Sequence, residues 1–497
     1  MRAPAAPSPA RTLIVDLPGP ELTPALGRWL RALNPGGVCL FARNMPTPGA
    51  TARLVADIRD ALERDALIAT DQEGGAVLRR LDSPQPPTPQ GLGVLGDEGA
   101  AFEAGALAAR GLLELGINWN YAPSLDVNVD PLNPVIGERS FGADPALVAR
   151  LGVAWARGSE AAGVLSSVKH YPGHGDTRVD SHLALPVVGK TRAELEACEW
   201  VPFRAAVQAG VGSVMTAHIL YPALDPERPA TLSPTLLGGV LRGEWGYDGV
   251  IVTDAMDMKA VADRYPGGRG AALALAAGAD AVLVCGHGDQ TLHDLHAAAL
   301  DTALLDGTLD PARVDEAVAR LAQAAARFPG SPRPYSPAQR DQDEAATARW
   351  ARGALEHRGA VPTLDPAAPA LLFAPETGEL GGPYGDHLGL NALAEALRPV
   401  LPGLHAAPVE DAAAVQALLA RFAGAPALLA TTDRWAIPGA TRALAARLAA
   451  RPAPAVHLAL WAPDAAAQLP LPALVTHGFR RAHLQAAAQV LTGVPAP

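Results

Sequence analysis

Residues 249–254 read GVIVTD. Gly249 and three β-branched residues are followed by Thr253 and Asp254, so the run has strand length and turns polar only where it ends. Working outward, seven more short runs have strand length: TLIVD (12–16), GGVCLF (36–41), ALIATD (66–71), INWNYAP (117–123), GVLSSVKH (163–170), VGSVMTAH (211–218) and ADAVLVC (279–285). Most of these runs are separated by Ala- and Leu-rich stretches of helical length. Eight strand–helix units predict an α/β chain that begins with a (β/α)8, TIM-like barrel. A doubly wound open sheet is the alternative. The run ends decide between them: Asp16, Arg43 and Asn44 just past Phe41, Asp71, Asp126, Lys169 with His170, His218 and Asp254. A barrel gathers all its strand ends on one face, whereas an open sheet uses a few strands at a switch point.

At 497 residues and 49% hydrophobic composition the chain exceeds one ordinary core. The Pro- and Ser-dense FPGSPRPYSP predicts a linker over 328–337, dividing a catalytic barrel (1–327) from a smaller α/β sandwich domain (338–497). In the latter, PALLFAPE (369–376), APALLATT (425–432) and AVHLALWAP (455–463) read as buried strands. GATRALAARLAA (439–450) and RRAHLQAAAQVLTG (480–493) read as helices.

Net charge is −11, with Lys and Arg scattered, which argues against a nucleic-acid partner. Cys39, Cys198 and Cys285 are far apart and form no CxxC, as expected in a reducing compartment. The opening MRAPAAPSPARTLIVDLPG is interrupted too early by Asp16 and Pro18 for a signal peptide, and no run reaches the ~18 apolar residues of a membrane span. A cytoplasmic protein is the expectation, with no membrane and no obligate protein partner.

The most specific segment is SVKHYPGHGDTRVDSHLALP (167–186), whose Pro-Gly-His-Gly core can be neither regular helix nor strand. Its histidines allow two readings. Metal binding needs several converging His and carboxylate ligands, but the first strand offers Asp16 alone and there is no HExxH. The expectation is no metal. Acid/base chemistry needs an imidazole beside a carboxylate, and Asp180 and His182 are two apart, facing one way if the loop is extended. Asp254, at a strand end, is a candidate nucleophile, while Asp257 is expected to begin or cap the next helix. ATDQEGGAVLRRL (69–81) adds Asp71, Arg79 and Arg80, and NPVIGERSFG (133–142) adds Arg139. Carboxylates and guanidinium groups around a cleft suit a polyhydroxylated ligand.

Taken together, TDQEGG, NPVIGERSFG, KHYPGHGDTRVDSHLALP, TAHILYP and GVIVTDAMDM resemble family 3 of the glycoside hydrolases, in its bacterial β-N-acetylhexosaminidase branch. The segments come in the family's order over about residues 11–328. The resemblance implies a retaining enzyme without a cofactor that removes terminal β-linked N-acetylglucosamine. It implies Asp254 as nucleophile, His182 with Asp180 as acid/base pair, and Asp71, Arg79, Arg139, Lys169 and His170 as sugar-holding residues. Asp126 and His218 also match family motifs. The second region resembles the sandwich of two-domain members. Ala76, Ala255 and Tyr171 depart from the commoner Arg, Asp and Phe. The implied substrate is a small glycoside from cell-wall (muropeptide) fragments, in peptidoglycan recycling. Two rival readings are a β-N-acetylglucosaminide phosphorylase on the same scaffold and an inactive sugar-binding protein.

Overall fold

The structure, a computed structural model, describes residues 8–181, 183–377, 388–432 and 436–493. Each of the eight runs forms a strand: β1 (Leu13–Asp16), β2 (Gly37–Cys39), β3 (Leu67–Thr70), β4 (Trp119–Asn120), β5 (Leu165–Tyr171), β6 (Ser213–Thr216), β7 (Val250–Val252) and β8 (Val282–Val284). All neighbours pair in parallel, in chain order, and β8 returns to β1 through Leu13↔Val282, Ile14↔Leu283 and Val15↔Val284. The Val252↔Ala281 bridge brings the two ends of the sheet together, so the expected barrel forms and the open-sheet alternative does not.

Period-two alternation sorts the strand residues into two layers. Ile14, Leu67, Ala69, Trp119, Leu165, Met215, Val250 and Val252 share one buried cluster with Leu321 and Phe328. Their neighbours Leu13, Val15, Ile68, Val168, Val214, Ile251 and Val282 pack in the other, against the helices. Several helices begin where the sequence supplies a capping side chain followed by proline. Thr47 caps Pro48–Leu62, Asp144 caps Pro145–Ala162 and Asp310 caps Pro311–Arg327.

A second, six-stranded sheet contains β9 (Glu356–Arg358), β10 (Ala370–Ala374), β11 (Leu404–Pro408), β12 (Ala427–Thr431), β13 (Ala455–Ala459) and β14 (Ala473–Val475). Its order is β9-β14-β13-β12-β10-β11, parallel except for β9 against β14. Among the contacts that bind this half to the barrel, two involve apolar burial. The helix Pro337–Gly353 packs Trp350 among Leu92, Ala104 and Leu107 and sets Asp343 against Arg110 in a two-bond fork of 2.8 and 2.6 Å. The hairpin of Gln72–Gly74 and Val77–Leu78, directly after β3, sends Ala76 and Val77 into the apolar cluster of the second sheet. Among the described residues no helix is long and apolar enough to cross a membrane.

Candidate active site

At the C-terminal ends of the barrel strands lies a cavity of about 440 Å³. Asp16, Asp71, Lys169, His170, Asp254 and Cys285 reach it from strand ends, Arg43, Arg79 and Arg139 from the loops beyond. Convergence of this many strand ends is what the barrel supplies.

One wall is a chain of charge-assisted bonds. Asp71 accepts Lys169 Nζ at 2.8 Å and Arg79 Nη2 at 3.3 Å. Glu73 accepts the same Nζ at 2.6 Å, and Arg139 side-on through Nε at 2.9 Å and Nη2 at 2.8 Å. Arg139 Nη2 lies 3.3 Å from His170 Nε2, and His170 Nδ1 lies 2.7 Å from Asp126 Oδ2. Asp126 Oδ1 also accepts the backbone N–H of His170 and His174, at 3.2 and 2.6 Å.

Burial opposes charge here, and the pairing outweighs it. Burial pushes the Asp71 carboxyl up, but Lys169 and Arg79 hold it below its usual value. Glu73 is likewise pushed up by burial yet held at about 2 by Arg139 and Lys169. Asp126 is held below its usual range against burial by His170 and His174. Lys169 would lose its proton more readily by burial, yet Asp71 and Glu73 raise it above its ordinary value. Asp71, Glu73, Asp126 and Lys169 are therefore held ionised, and the wall is rich in groups that can accept from or donate to hydroxyls.

Asp254, just past β7, lines the same cavity and accepts the N–H of Ala255 at 2.8 Å through Oδ1. The adjacent Ala255 carbonyl accepts His218 Nε2 at 2.9 Å. Asp257 does not cap a helix as expected. The short helix Lys259–Ala262 follows Met258 without a side-chain cap, while Asp257 Oδ1 accepts the N–H of Cys285 at 2.8 Å and its carboxyl, pushed up by burial, lines the cavity.

The loop after β5 is anchored by His174, whose Nδ1 meets Thr177 Oγ1 at 2.8 Å and whose Nε2 meets Ser181 Oγ at 3.1 Å. Burial, reinforced by His170, lowers His174 to about 4, so its ring is neutral near pH 7. Asp180 is half-buried, and its carbonyl accepts the N–H of Leu183 and Ala184 at 2.9 and 3.1 Å. His182, the expected acid/base, lies outside the described residues.

Thus Asp71, Arg79, Arg139, Lys169, His170 and Asp254 are brought together at one cavity. Arg80 is not among them; it is buried elsewhere, against Glu114 at 2.6 Å and Asp82 at 3.0 Å. Sequence reasoning missed Glu73, although it stands only two residues from Asp71, in the short strand Gln72–Gly74, and lines the same cavity. It also missed His174 as an anchor. Among the described residues no three His, Cys, Asp or Glu side chains cluster as a metal site would require.

Comparison with known proteins gives a consistent picture. The glycosyl hydrolase family 3 N-terminal domain matches residues 16–324. Beta-hexosaminidase A of Pseudoalteromonas piscicida is 36% identical over 348 residues, 65% of this chain and 57% of that protein, so the chain spans little more than half of that relative. The beta-hexosaminidase of Alkalilimnicola ehrlichii is 39% identical over 283 residues, covering 55% of this chain and 80% of that protein. A solved family 3 β-N-acetylglucosaminidase from a Paenibacillus species superposes with a TM-score of 0.89 at 33% identity, covering 100% of this chain and 99% of that one.

Proposed function

The chain belongs to glycosyl hydrolase family 3, and from that membership we propose that it is a retaining β-N-acetylhexosaminidase releasing terminal β-linked N-acetylglucosamine. The observation that carries the reading is the convergence on one cavity of Asp254 with the charged side chains of Asp71, Arg79, Arg139 and Lys169 and the ring of His170. In this reading the wall holds the sugar and Asp254 attacks the anomeric carbon, forming a glycosyl-enzyme ester. Protonated His182, oriented by Asp180, donates to the departing oxygen. The neutral imidazole then takes a proton from water, which displaces Asp254 and restores the β configuration. Retaining enzymes ordinarily use two carboxyl groups roughly 5–5.5 Å apart; here the His182–Asp180 pair replaces one of them.

The proposed natural substrates are cell-wall fragments bearing β-linked N-acetylglucosamine, processed in the cytoplasm. The chain is proposed to divide into a barrel over 1–327, a linker over 328–337 and a second domain over 338–497. The test is product analysis with 4-nitrophenyl β-N-acetylglucosaminide, with and without phosphate, beside Asp254→Asn. Free N-acetylglucosamine in both buffers, absent in the variant, is the expected result. Sugar 1-phosphate would make the enzyme a phosphorylase, and turnover by the variant would remove Asp254 from its role.

A further inference from the structure

The wall hairpin is fixed at its base by Gln72. Its Oε1 accepts the N–H of Arg79 and of Arg80, each at 3.0 Å, and its Nε2 donates to the Arg80 carbonyl at 2.8 Å. The tip is Gly75 and Ala76, with Gly75 at φ 57. The Ala76 carbonyl accepts the N–H of Leu78 at 3.2 Å inside the hairpin, but among the described residues no backbone N–H reaches the Gly75 carbonyl. Buried, that acceptor needs a donor from elsewhere.

The donor comes from the second sheet's half of the chain. Arg480, at the start of the helix Arg481–Thr492, donates from Nε to the Gly75 carbonyl at 2.6 Å and from Nη2 to the Ala76 carbonyl at 3.1 Å. A planar guanidinium can serve two successive carbonyls from one rigid fork. The same contact is reinforced twice. Ala76 and Val77 are buried in one cluster with Leu364, Phe479 and Leu484. Thr88, whose methyl would meet a Cβ on Gly75 at 2.3 Å, donates its hydroxyl to the His477 carbonyl. Ala76 is the position where the family resemblance marks a departure from Arg, and its methyl fits this apolar contact where a charged side chain would be desolvated. On its other side the hairpin faces the cavity through Val77 and Glu73.

We infer that Arg480 is a positioning residue of the sugar site: by holding the Gly75 and Ala76 carbonyls it fixes the hairpin that presents Glu73 and Arg79, and through them Asp71, to the cavity. The second half of the chain thereby takes part in substrate binding without touching substrate. The inference rests on the glycosidase reading for its kinetic consequence but not for its structural one.

The test uses the full chain with Arg480→Ala, Arg480→Lys and, as control, Arg451→Ala. Arg451 likewise serves backbone carbonyls, of Ala423 and Ala425 at 3.0 Å each, but within the second half and away from the hairpin. Amide hydrogen exchange of 72–80 should quicken about tenfold in Arg480→Ala, with peptides around 250–254 unchanged. With 4-nitrophenyl β-N-acetylglucosaminide, KM should rise roughly tenfold while kcat stays within about threefold, because binding is lost equally from ground and transition states. Arg480→Lys, a smaller lesion that keeps a donor and the fold, should show a smaller rise in both. Arg451→Ala should change neither. Unaltered exchange of 72–80 in both Arg480 variants, or the same increase in Arg451→Ala, would overturn the inference. Altered exchange with wild-type KM would overturn its kinetic half. A wild-type chain that turns over no glycoside would sink the glycosidase reading instead, and the exchange result would still decide the role of Arg480.

Discussion

Arg139 and Glu73 meet side-on, Nε to Oε2 at 2.9 Å and Nη2 to Oε1 at 2.8 Å, with Glu73 1% and Arg139 4% exposed. Lys169 completes the triad on Glu73 Oε1 at 2.6 Å. Two buried cations are thus balanced by Glu73 together with Asp71, and removing either anion leaves this buried cluster one negative charge short.

Glu73→Gln keeps the shape and removes the charge. Breaking a buried pair from one side costs about 3–5 kcal/mol. The pH dependence carries a sign. Glu73 titrates at about 2 in the fold against an ordinary 4.5, so its contribution is full above 4.5 and is lost as pH falls from there towards 2. Urea titrations of both proteins should show a free-energy gap that is constant above pH 5 and narrows below it. A gap independent of pH down to 3 would mean that the charge on Glu73 does not stabilise the fold.

The role assigned to His182 is tested by leaving-group ability. A general acid contributes about 10²–10⁴-fold when the departing oxygen needs a proton. His182→Ala should lose that factor on a natural disaccharide and much less on a nitrophenyl glycoside, whose phenolate leaves unaided. Equal losses on both substrates would argue against proton donation by this residue.

His218 acts on the segment beside Asp254. Its Nε2 donates to the Ala255 carbonyl at 2.9 Å, and Nδ1 lies 2.8 Å from Thr231 Oγ1. His218→Phe fills the space but releases that carbonyl, so Asp254 loses its fixed position and, in the proposed mechanism, its alignment with the anomeric carbon. Misplacement of a reacting group by about 1 Å can cost around 10² in rate. The expected outcome is a kcat lowered by roughly ten- to a hundredfold with KM nearly unchanged. A rise in KM alone would place His218 in sugar binding instead.

The barrel was legible because its strands, from Leu13–Asp16 to Val282–Val284, are separate short runs, most of them with a polar end. The second sheet was legible only at β10, β12 and β13, which are continuous apolar runs. Glu356–Arg358 and Leu404–Pro408 went unread because their edge position gave them a mixed pattern, and Ala473–Val475 because it is only three residues long. In the site, residues at strand ends could be foreseen. What could not be foreseen is who pairs with whom: Glu73 with Arg139 joins residues 66 apart in sequence. Arg480 lies beyond the reach of local pattern for the same reason, being 405 residues from Gly75.

Buried histidines set a limit on acid stability. His174, His457 and His483 are each lowered to about 4 by burial, against an ordinary 6.5. Each takes up a proton on unfolding anywhere between those values, so stability falls as pH drops from 6.5 to 4, by up to about 1.4 kcal/mol per pH unit for each ring. His483 is the sharpest probe. It is 1% exposed, and neither ring nitrogen has a hydrogen-bond partner among the described residues. His483→Phe therefore removes a buried polar ring without breaking a bond. It should leave stability near wild type or higher at pH 8 and raise it by roughly 2 kcal/mol more at pH 5, where the wild-type unfolded chain gains a proton that the folded one refuses. Chemical unfolding at the two pH values checks this. A gain of the same size at both would mean that His483 is protonated equally in the folded and unfolded chain, and that burial does not hold its ring neutral.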